Sequence, residues 1–215
     1  MEADPAYWSG RRVCVTGGTG FLGWHIVQQL RALGARVRVA ALPLARPHPI
    51  QRAGDVEFVP GDIRDSEAVR YAVRGCDTIF HTAGIVAVWG PALKLMMPVH
   101  LDGTRNVLRA ADAGARIVHT SSVVAVGGSR RGEVLNEDSP FPFRRRLLPY
   151  VKAKRDAEAI ALAAAAAGKD VVVTNPSYLV GPLDHENSVM GRYCVRFWKC
   201  KTLPIPSRRI IRNAT

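Results

Sequence analysis

A phenol and an ammonium stand four residues apart at Tyr150 and Lys154, directly after Pro149. That spacing puts both on one face of a helix, about one turn apart. An ammonium beside a phenol favours the phenolate and draws its pKa down from about 10. Tyr150 is therefore a proton donor or acceptor suited to general acid–base work near neutral pH. A Tyr and a Lys on the exposed face of an amphipathic helix is the plain alternative, and a second feature upstream decides against it. The run Val13-Cys14-Val15-Thr16-Gly17-Gly18-Thr19-Gly20-Phe21-Leu22-Gly23 reads as a strand, a glycine-rich turn and a helix start. Backbone N–H groups and a helix N-terminus can receive a pyrophosphate in that geometry. Gly17 and Gly18 allow the tight turn, Gly20 removes a Cβ where phosphate oxygens approach, and Gly23 lets the helix lie close to the sheet.

These groups need a scaffold, and the pattern along the chain supplies one. Strands are expected at Arg11–Thr16, Arg36–Ala41, Val56–Pro60, Thr78–Thr82, Ala115–Ser121 and Asp170–Thr174. Helices are expected at Phe21–Leu33, from a cap at Ser66 to about Arg74, at Leu93–Ala113 with a kink at Pro98, at Tyr150–Ala167 and at Ser188–Lys199. Gly34, Gly114 and Gly168 read as helix stops. Leu42–Ala53, with three prolines, and Gly127–Pro149 read as loops. Strands alternating with helices point to an α/β fold, a doubly wound parallel sheet with helices on both faces. Ligands of such sheets sit at the carboxyl ends of the strands. Unusual residues gather there: Gly61-Asp62-Ile63 after the third strand, His81-Thr82-Ala83-Gly84 after the fourth, Thr120-Ser121-Ser122 after the fifth and Asn175-Pro176-Ser177 after the sixth.

Composition sets the class. The 215 residues are 47% hydrophobic and carry a formal charge of +12, enough chain for one sizeable core. Arginine clusters at Arg130-Arg131, Arg144-Arg145-Arg146 and Arg208-Arg209 could favour anionic partners. They lack the interleaved aromatics of an RNA-stacking surface, so they read as solvated surface and no nucleic-acid partner is expected. Cys14, Cys76, Cys194 and Cys200 show neither a CxxC pair nor metal-like spacing with histidine; no metal site is expected, and buried reduced thiols are the reading for the first two. The polar N-terminus is not a signal peptide, and no apolar stretch approaches a bilayer's thickness, so a cytoplasmic protein is expected.

The motifs together resemble the extended short-chain dehydrogenase/reductases, the NAD-dependent epimerase/dehydratase family. The matching residues are Thr16-Gly17-x-x-Gly20-x-x-Gly23, Gly61-Asp62, His81-x-Ala83-Gly84, Gly103-Thr104-Arg105-Asn106-Val107, Thr120-Ser121-Ser122, Asn136-Glu137-Asp138-x-Pro140, Tyr150-x-x-x-Lys154 and Pro176-x-x-x-x-Gly181-Pro182, in the family's order. The surroundings of Trp89 and the Pro176–Gly181 stretch look most like the dihydroflavonol-reductase-like and hopanoid-associated sugar-epimerase-like branches. The resemblance implies a Rossmann domain over residues 1–182 and a partial substrate-binding region or tail over 183–215. It implies an NAD(P)-dependent oxidoreductase or epimerase acting on a secondary alcohol or ketone, such as a sugar nucleotide or a dihydroflavonol-like or sterol-like compound. Tyr150 is the implied acid/base, Lys154 the group that holds the nicotinamide ribose and tunes Tyr150, and Ser122 the hydrogen-bond donor to the reacting oxygen. The implied coenzyme contacts are Gly17, Gly18, Thr19, Gly20, Phe21, Leu22 and Gly23 of the turn, Asp62 and Ile63 at the adenine, and His81, Ala83, Gly84 and Pro176 nearer the nicotinamide. Relatives of this kind often dimerise through the helix that carries the tyrosine, so a homodimer is a further expectation.

Three departures qualify that reading. Where an acidic residue after the second strand would hold the 2′-hydroxyl of NAD, the chain has Ala40-Ala41-Leu42; Arg38 or Arg46 is the candidate for a 2′-phosphate, and the balance tips slightly towards NADP over NAD. His100 occupies the place of a frequent asparagine and reads as a packing or hydrogen-bonding residue. Family members continue well beyond the Gly181-Pro182 motif, so a truncated, catalytically weak NAD(P)-binding protein serving as sensor or scaffold is the alternative function.

Overall fold

The computed structural model describes residues 4–43, 48–87, 90–129, 132–142, 148–184 and 188–199. Arg46, Trp89, Cys200 and the arginine clusters at 130–131, 144–146 and 208–209 lie outside the described residues. Strands β1 (Arg12–Thr16), β2 (Arg36–Ala41), β3 (Val56–Pro60), β4 (Thr78–His81), β5 (Arg116–Thr120) and β6 (Val171–Thr174) form one sheet in the order β3-β2-β1-β4-β5-β6. Every neighbouring pair is parallel, with Val15 opposite Val39 and Phe80 at the centre. The order reverses between β1 and β4, which opens a crevice at their carboxyl ends, the feature of a doubly wound Rossmann-type sheet. All strand limits fall within one residue of those expected from the sequence.

The helices are α1 (Pro5–Trp8), α2 (Phe21–Ala32), α3 (Ser66–Val73), α4 (Leu93–Met97), α5 (Gly103–Ala110), α6 (Val123–Val126), α7 (Pro149–Ala166) and α8 (Val189–Trp198). Alternation along β1 divides the core: Val13 and Val15 pack with Trp24, Val27 and Leu30 of α2, and Cys14 faces Val69 and Val73 of α3 and Val107 and Leu108 of α5. Both faces of the central strands are therefore covered, as their apolar side chains require. Cys14 and Cys76 are buried free thiols, and Cys194 is an exposed one. On α7, Ala153, Ala157 and Ala161 recur every four residues and are fully buried. Their small side chains let the helix lie close to its neighbours.

Several local expectations are corrected. Asp65, not Ser66, caps α3: its carboxylate accepts from the N–H groups of Glu67 at 2.9 Å and Ala68 at 3.3 Å. The helix expected over 93–113 is interrupted by a π-helical turn at Pro98–Asp102. Proline has no N–H to donate and its ring crowds the preceding turn, which widens the ladder there. That helix also ends at Ala110, not beside Gly114. Ala111 turns extended, and the Asp112 carboxylate is drawn to the Gly75 N–H at 2.7 Å. The proline-rich loop contains a 3-10 turn at Pro49–Arg52, and the loop after β5 begins with the short α6.

β6 forms one edge of the sheet, with Val172 exposed; beyond it Tyr178, Phe197 and Trp198 are exposed as well. Among the described residues no helix is long and apolar enough to cross a membrane.

Candidate active site

The glycine-rich turn is held open by contacts that admit no side chain. Gly17 has φ +69°, and a Cβ on it would lie 2.7 Å from the Ala83 Cα. A Cβ on Gly23 would lie 2.3 Å from the Gly17 carbonyl oxygen, so α2 rests directly on the turn. Gly18 is packed on the Val39 methyls, whereas Gly20 faces only the Gly17 carbonyl and is otherwise open. Gly20 is also the residue that starts α2, and no side chain caps that start. The leading N–H groups of α2, from Phe21 and Leu22, are thus left for an anion, which the helix dipole also favours.

Beside this turn lies a cavity of about 390 Å³, within the size range of cofactor sites. Gly17, Thr19 and Gly20 form one wall, Ala41 and Leu42 continue from β2, Asp62 and Ile63 from β3, and Ala83, Gly84 and Ile85 from β4. Seven of the expected coenzyme contacts therefore share one cavity. Asp62 is bonded in a fork to Arg64, with Arg64 Nη2 at 2.5 Å from Oδ2 and Nε at 3.0 Å from both carboxylate oxygens. The guanidinium holds the Asp62 carboxyl below its ordinary range.

His81 does not face this cavity. It is buried, with Nδ1 2.8 Å from the Thr16 hydroxyl and Nε2 3.2 Å from the Thr104 hydroxyl. Thr104 donates its own proton to the His100 carbonyl at 2.6 Å. His81 Nε2–H must then donate to Thr104, leaving Nδ1 to accept from Thr16. Burial, reinforced by the neighbouring His119 and Lys154, pushes the His81 imidazole well below its usual pKa and keeps it neutral. His81 thus acts on the cavity indirectly: Thr16 Oγ1 also accepts from the Ala83 N–H at 3.3 Å. His119, stacked beside His81 at 5.3 Å, is held down to about 3 by burial and then by Lys154.

Arg38 is likewise placed elsewhere. Its Nε donates to Glu57 at 2.8 Å, and its Nη1 reaches the carbonyls of Ala72 and Arg74 at 3.0 Å. It closes the C-terminal end of α3 and is not among the residues that line the cavity.

Ser122, Tyr150 and Lys154 converge where β5 meets α7. Ser122 caps α6, accepting from the Val124 N–H at 3.4 Å. Burial pushes the Tyr150 phenol up, and the neighbouring Ser122 side chain opposes it, so the net shift is upward. The sequence predicts the reverse, a phenol lowered by Lys154. The difference arises because Lys154 Nζ donates to the Thr120 carbonyl at 2.8 Å, with the ammonium secured to the strand end. Burial brings Lys154 down to about 8, opposed by Glu158.

Glu158, one turn further along α7, is a residue the sequence reading missed. It accepts from the Ser121 hydroxyl in a short bond and from Asn175 Nδ2 at 2.7 Å. Asn175 also donates to the Ser122 carbonyl at 3.2 Å, so the ends of β5 and β6 are joined through α7. Its spacing of four from Lys154 on the same face was the signal that could have found it. Pro176, expected at the coenzyme, accepts through its carbonyl from the Val123 N–H at 3.2 Å.

Comparison with known proteins agrees with this geometry. The model of the NAD dependent epimerase/dehydratase family matches residues 13–202. A dihydroflavonol 4-reductase-like protein of Synechocystis sp. is 33% identical over 201 residues, covering 92% of this chain and 57% of that protein. Sterol demethylase protein B of Methylococcus capsulatus is 34% identical over 193 residues, covering 85% and 56% respectively. The chain thus spans little more than half the length of these curated relatives. Among solved structures, a dTDP-glucose 4,6-dehydratase double mutant from Streptomyces venezuelae with NAD bound superposes with a TM-score of 0.74 at 30% identity, covering 90% of this chain and 64% of that one. A UDP-glucose 4-epimerase from Thermus thermophilus in complex with NAD gives a TM-score of 0.72 at 29% identity, covering 86% and 60%.

Proposed function

The chain belongs to the NAD dependent epimerase/dehydratase family, and from that premise we propose that it transfers hydride between a nicotinamide coenzyme and a secondary alcohol or ketone, with Tyr150 as acid/base. The observation that carries this reading is the convergence of Ser122, Tyr150 and Lys154 at the carboxyl end of β5, the strand next to β4, whose following residues Ala83–Ile85 wall the glycine-bounded cavity.

The cavity suits a dinucleotide on three counts: its size, the uncapped start of α2 beside Gly20, and the missing side chains at Gly17 and Gly23. Phe21 and Leu22 N–H groups would hold the pyrophosphate, and Asp62 and Ile63 would border the adenine. When bound, the nicotinamide supplies the hydride donor or acceptor. The protein supplies the proton. Tyr150 Oη takes the proton of the substrate hydroxyl on oxidation and returns it on reduction. Ser122 holds the reacting oxygen by a hydrogen bond, and the buried Lys154 ammonium stabilises the phenolate that forms.

Ala41 and Leu42 place no carboxylate at the end of β2. A 2′-phosphate would therefore meet no repulsion there, and NADPH is expected to bind at least as tightly as NADH. Sugar nucleotides and dihydroflavonol-like or sterol-like compounds are the substrate classes to test first, since the matching relatives carry such names. The test is titration of NADH and NADPH against tryptophan fluorescence, followed by turnover on a panel of those alcohols and ketones. Absence of binding by either coenzyme removes the proposal. Binding without turnover across the panel replaces it with a binding protein that senses or carries the coenzyme.

A further inference from the structure

Gly84 and His100 are fitted to one another. A Cβ on Gly84 would lie 2.7 Å from His100 Cε1 and 3.3 Å from Nδ1. Gly84 is not among the glycines with positive φ, so its backbone accepts any residue and the space taken by the imidazole is what excludes a side chain. The ring nitrogen next to Cε1, Nε2, donates to the Ile85 carbonyl at 2.9 Å. That carbonyl can only accept, so the proton is fixed on Nε2 and Nδ1 is a bare acceptor. The ring also meets the Tyr150 ring edge-on, with centroids 6.1 Å apart and planes at 71°. The π-helical turn at Pro98–Asp102 carries His100 into this position, and the Thr104 hydroxyl accompanies it by bonding the His100 carbonyl. Burial and then the Lys154 charge bring His100 down to about 4, so a neutral ring occupies the place throughout the working range.

We propose that His100 is a positioning residue that aligns Tyr150 with the coenzyme cavity. One imidazole braces the segment Ala83–Ile85, which walls the cavity, and backs the Tyr150 ring, so neither can shift without the other. Gly84 is small for the sake of His100, and not only to admit a coenzyme. The catalytic meaning of this brace rests on the oxidoreductase reading above; the brace itself does not.

A double-mutant cycle of Gly84→Ala, His100→Ala and the pair tests it, with two readouts. The first is the affinity for NADH and NADPH by tryptophan quenching. The second is the ionisation of Tyr150, obtained as the ultraviolet titration of each protein minus that of its Tyr150→Phe counterpart. Each single change is expected to weaken coenzyme binding about tenfold and to bring the Tyr150 midpoint down towards that of an exposed phenol, because burial is lost. The pair is expected to be no worse than either single change, since the methyl then enters the space the ring has left. Additive losses, or a Gly84→Ala protein that behaves as wild type, overturn the proposal. Should His100→Ala not fold, His100→Asn, which keeps an N–H for Ile85 but cannot back Tyr150, takes its place. It is then expected to retain coenzyme affinity while still shifting Tyr150, and an unmoved Tyr150 midpoint counts against the brace. If the wild type binds neither coenzyme, the oxidoreductase reading fails, and the ionisation cycle alone decides whether Gly84 and His100 act as one.

Discussion

Lys154 Nζ donates to the Thr120 carbonyl at 2.8 Å, and this bond fastens the second turn of α7 to the carboxyl end of β5. The ammonium is buried, and desolvation brings it down to about 8. In the unfolded chain a lysine titrates near 10.4. Between those values the unfolded state binds more protons than the folded one, so this group makes stability rise with pH. Below the folded value both forms are charged and the cost of burial is felt in full. Compared with Lys154→Met, the wild type should gain about 3 kcal/mol of stability between roughly pH 8 and pH 10. Urea denaturation of both proteins across that window measures the gain, and parallel curves would show that the ammonium is not desolvated.

Arg38 should matter to folding and not to coenzyme choice. Its guanidinium bonds Glu57 and the last carbonyls of α3. Arg38→Met leaves those carbonyls with only the weak Cys76 thiol as donor and should cost about 2 kcal/mol. The ratio of NADPH to NADH affinity should stay within about twofold. A collapse of that ratio in the variant, with stability unchanged, would return Arg38 to the 2′-phosphate.

The contrast between Arg38 and the glycine turn shows what a sequence reveals and what it hides. The strands, their parallel sheet, the strand-end placement of Gly17, Asp62 and Ser122 and the helical start at Tyr150 were legible, because each follows from local periodicity and turn chemistry. The direction of a long side chain was not. Arg38 sits in β2 as expected, yet its guanidinium extends to the C-terminal end of α3, a choice fixed by carbonyls distant in sequence. The direction of the His81 ring was hidden for a similar reason. It ends β4 as expected, but alternation turns its ring inward to Thr16 and Thr104. The Tyr150 shift was misread because spacing reports neighbours and not burial. The i, i+4 rule places Lys154 on the same helix face, and only the fold shows that its ammonium turns to Thr120 and that burial governs the phenol.

Gly23→Ala should damage the cavity more than most core substitutions. The added methyl would meet the Gly17 carbonyl oxygen at 2.3 Å, with the Gly18 Cα at 2.8 Å, and both are backbone atoms that cannot rotate away. α2 must then lift from the turn, which costs about 2 kcal/mol as overpacking and moves the N–H groups of Phe21 and Leu22 off the pyrophosphate. Loss of coenzyme affinity by about a hundredfold is expected, with thermal melting lowered in the same protein. Wild-type affinity for both coenzymes would mean that the start of α2 is not where the phosphates bind.

Tyr150 and Ser122 can be separated by what each removal leaves behind. Tyr150→Phe keeps the ring that His100 meets edge-on and deletes only the hydroxyl. Coenzyme affinity should stay within about twofold while turnover falls by roughly a thousandfold, the scale of a lost general acid–base group. Ser122→Ala removes the hydroxyl that opposes burial at Tyr150, so burial then acts alone and the phenol shifts further up. Turnover in the oxidation direction should then require higher pH than in the wild type, because the phenolate that accepts the substrate proton forms later. The measurement is the pH dependence of kcat/KM for both proteins on one alcohol substrate. An upward displacement of the basic-side rise in Ser122→Ala, together with near-complete loss in Tyr150→Phe, assigns the proton to Tyr150 and its tuning to Ser122. If Tyr150→Phe turns over at the wild-type rate, the proton belongs to another group, and Lys154, buried and brought down to about 8, is the next residue to replace.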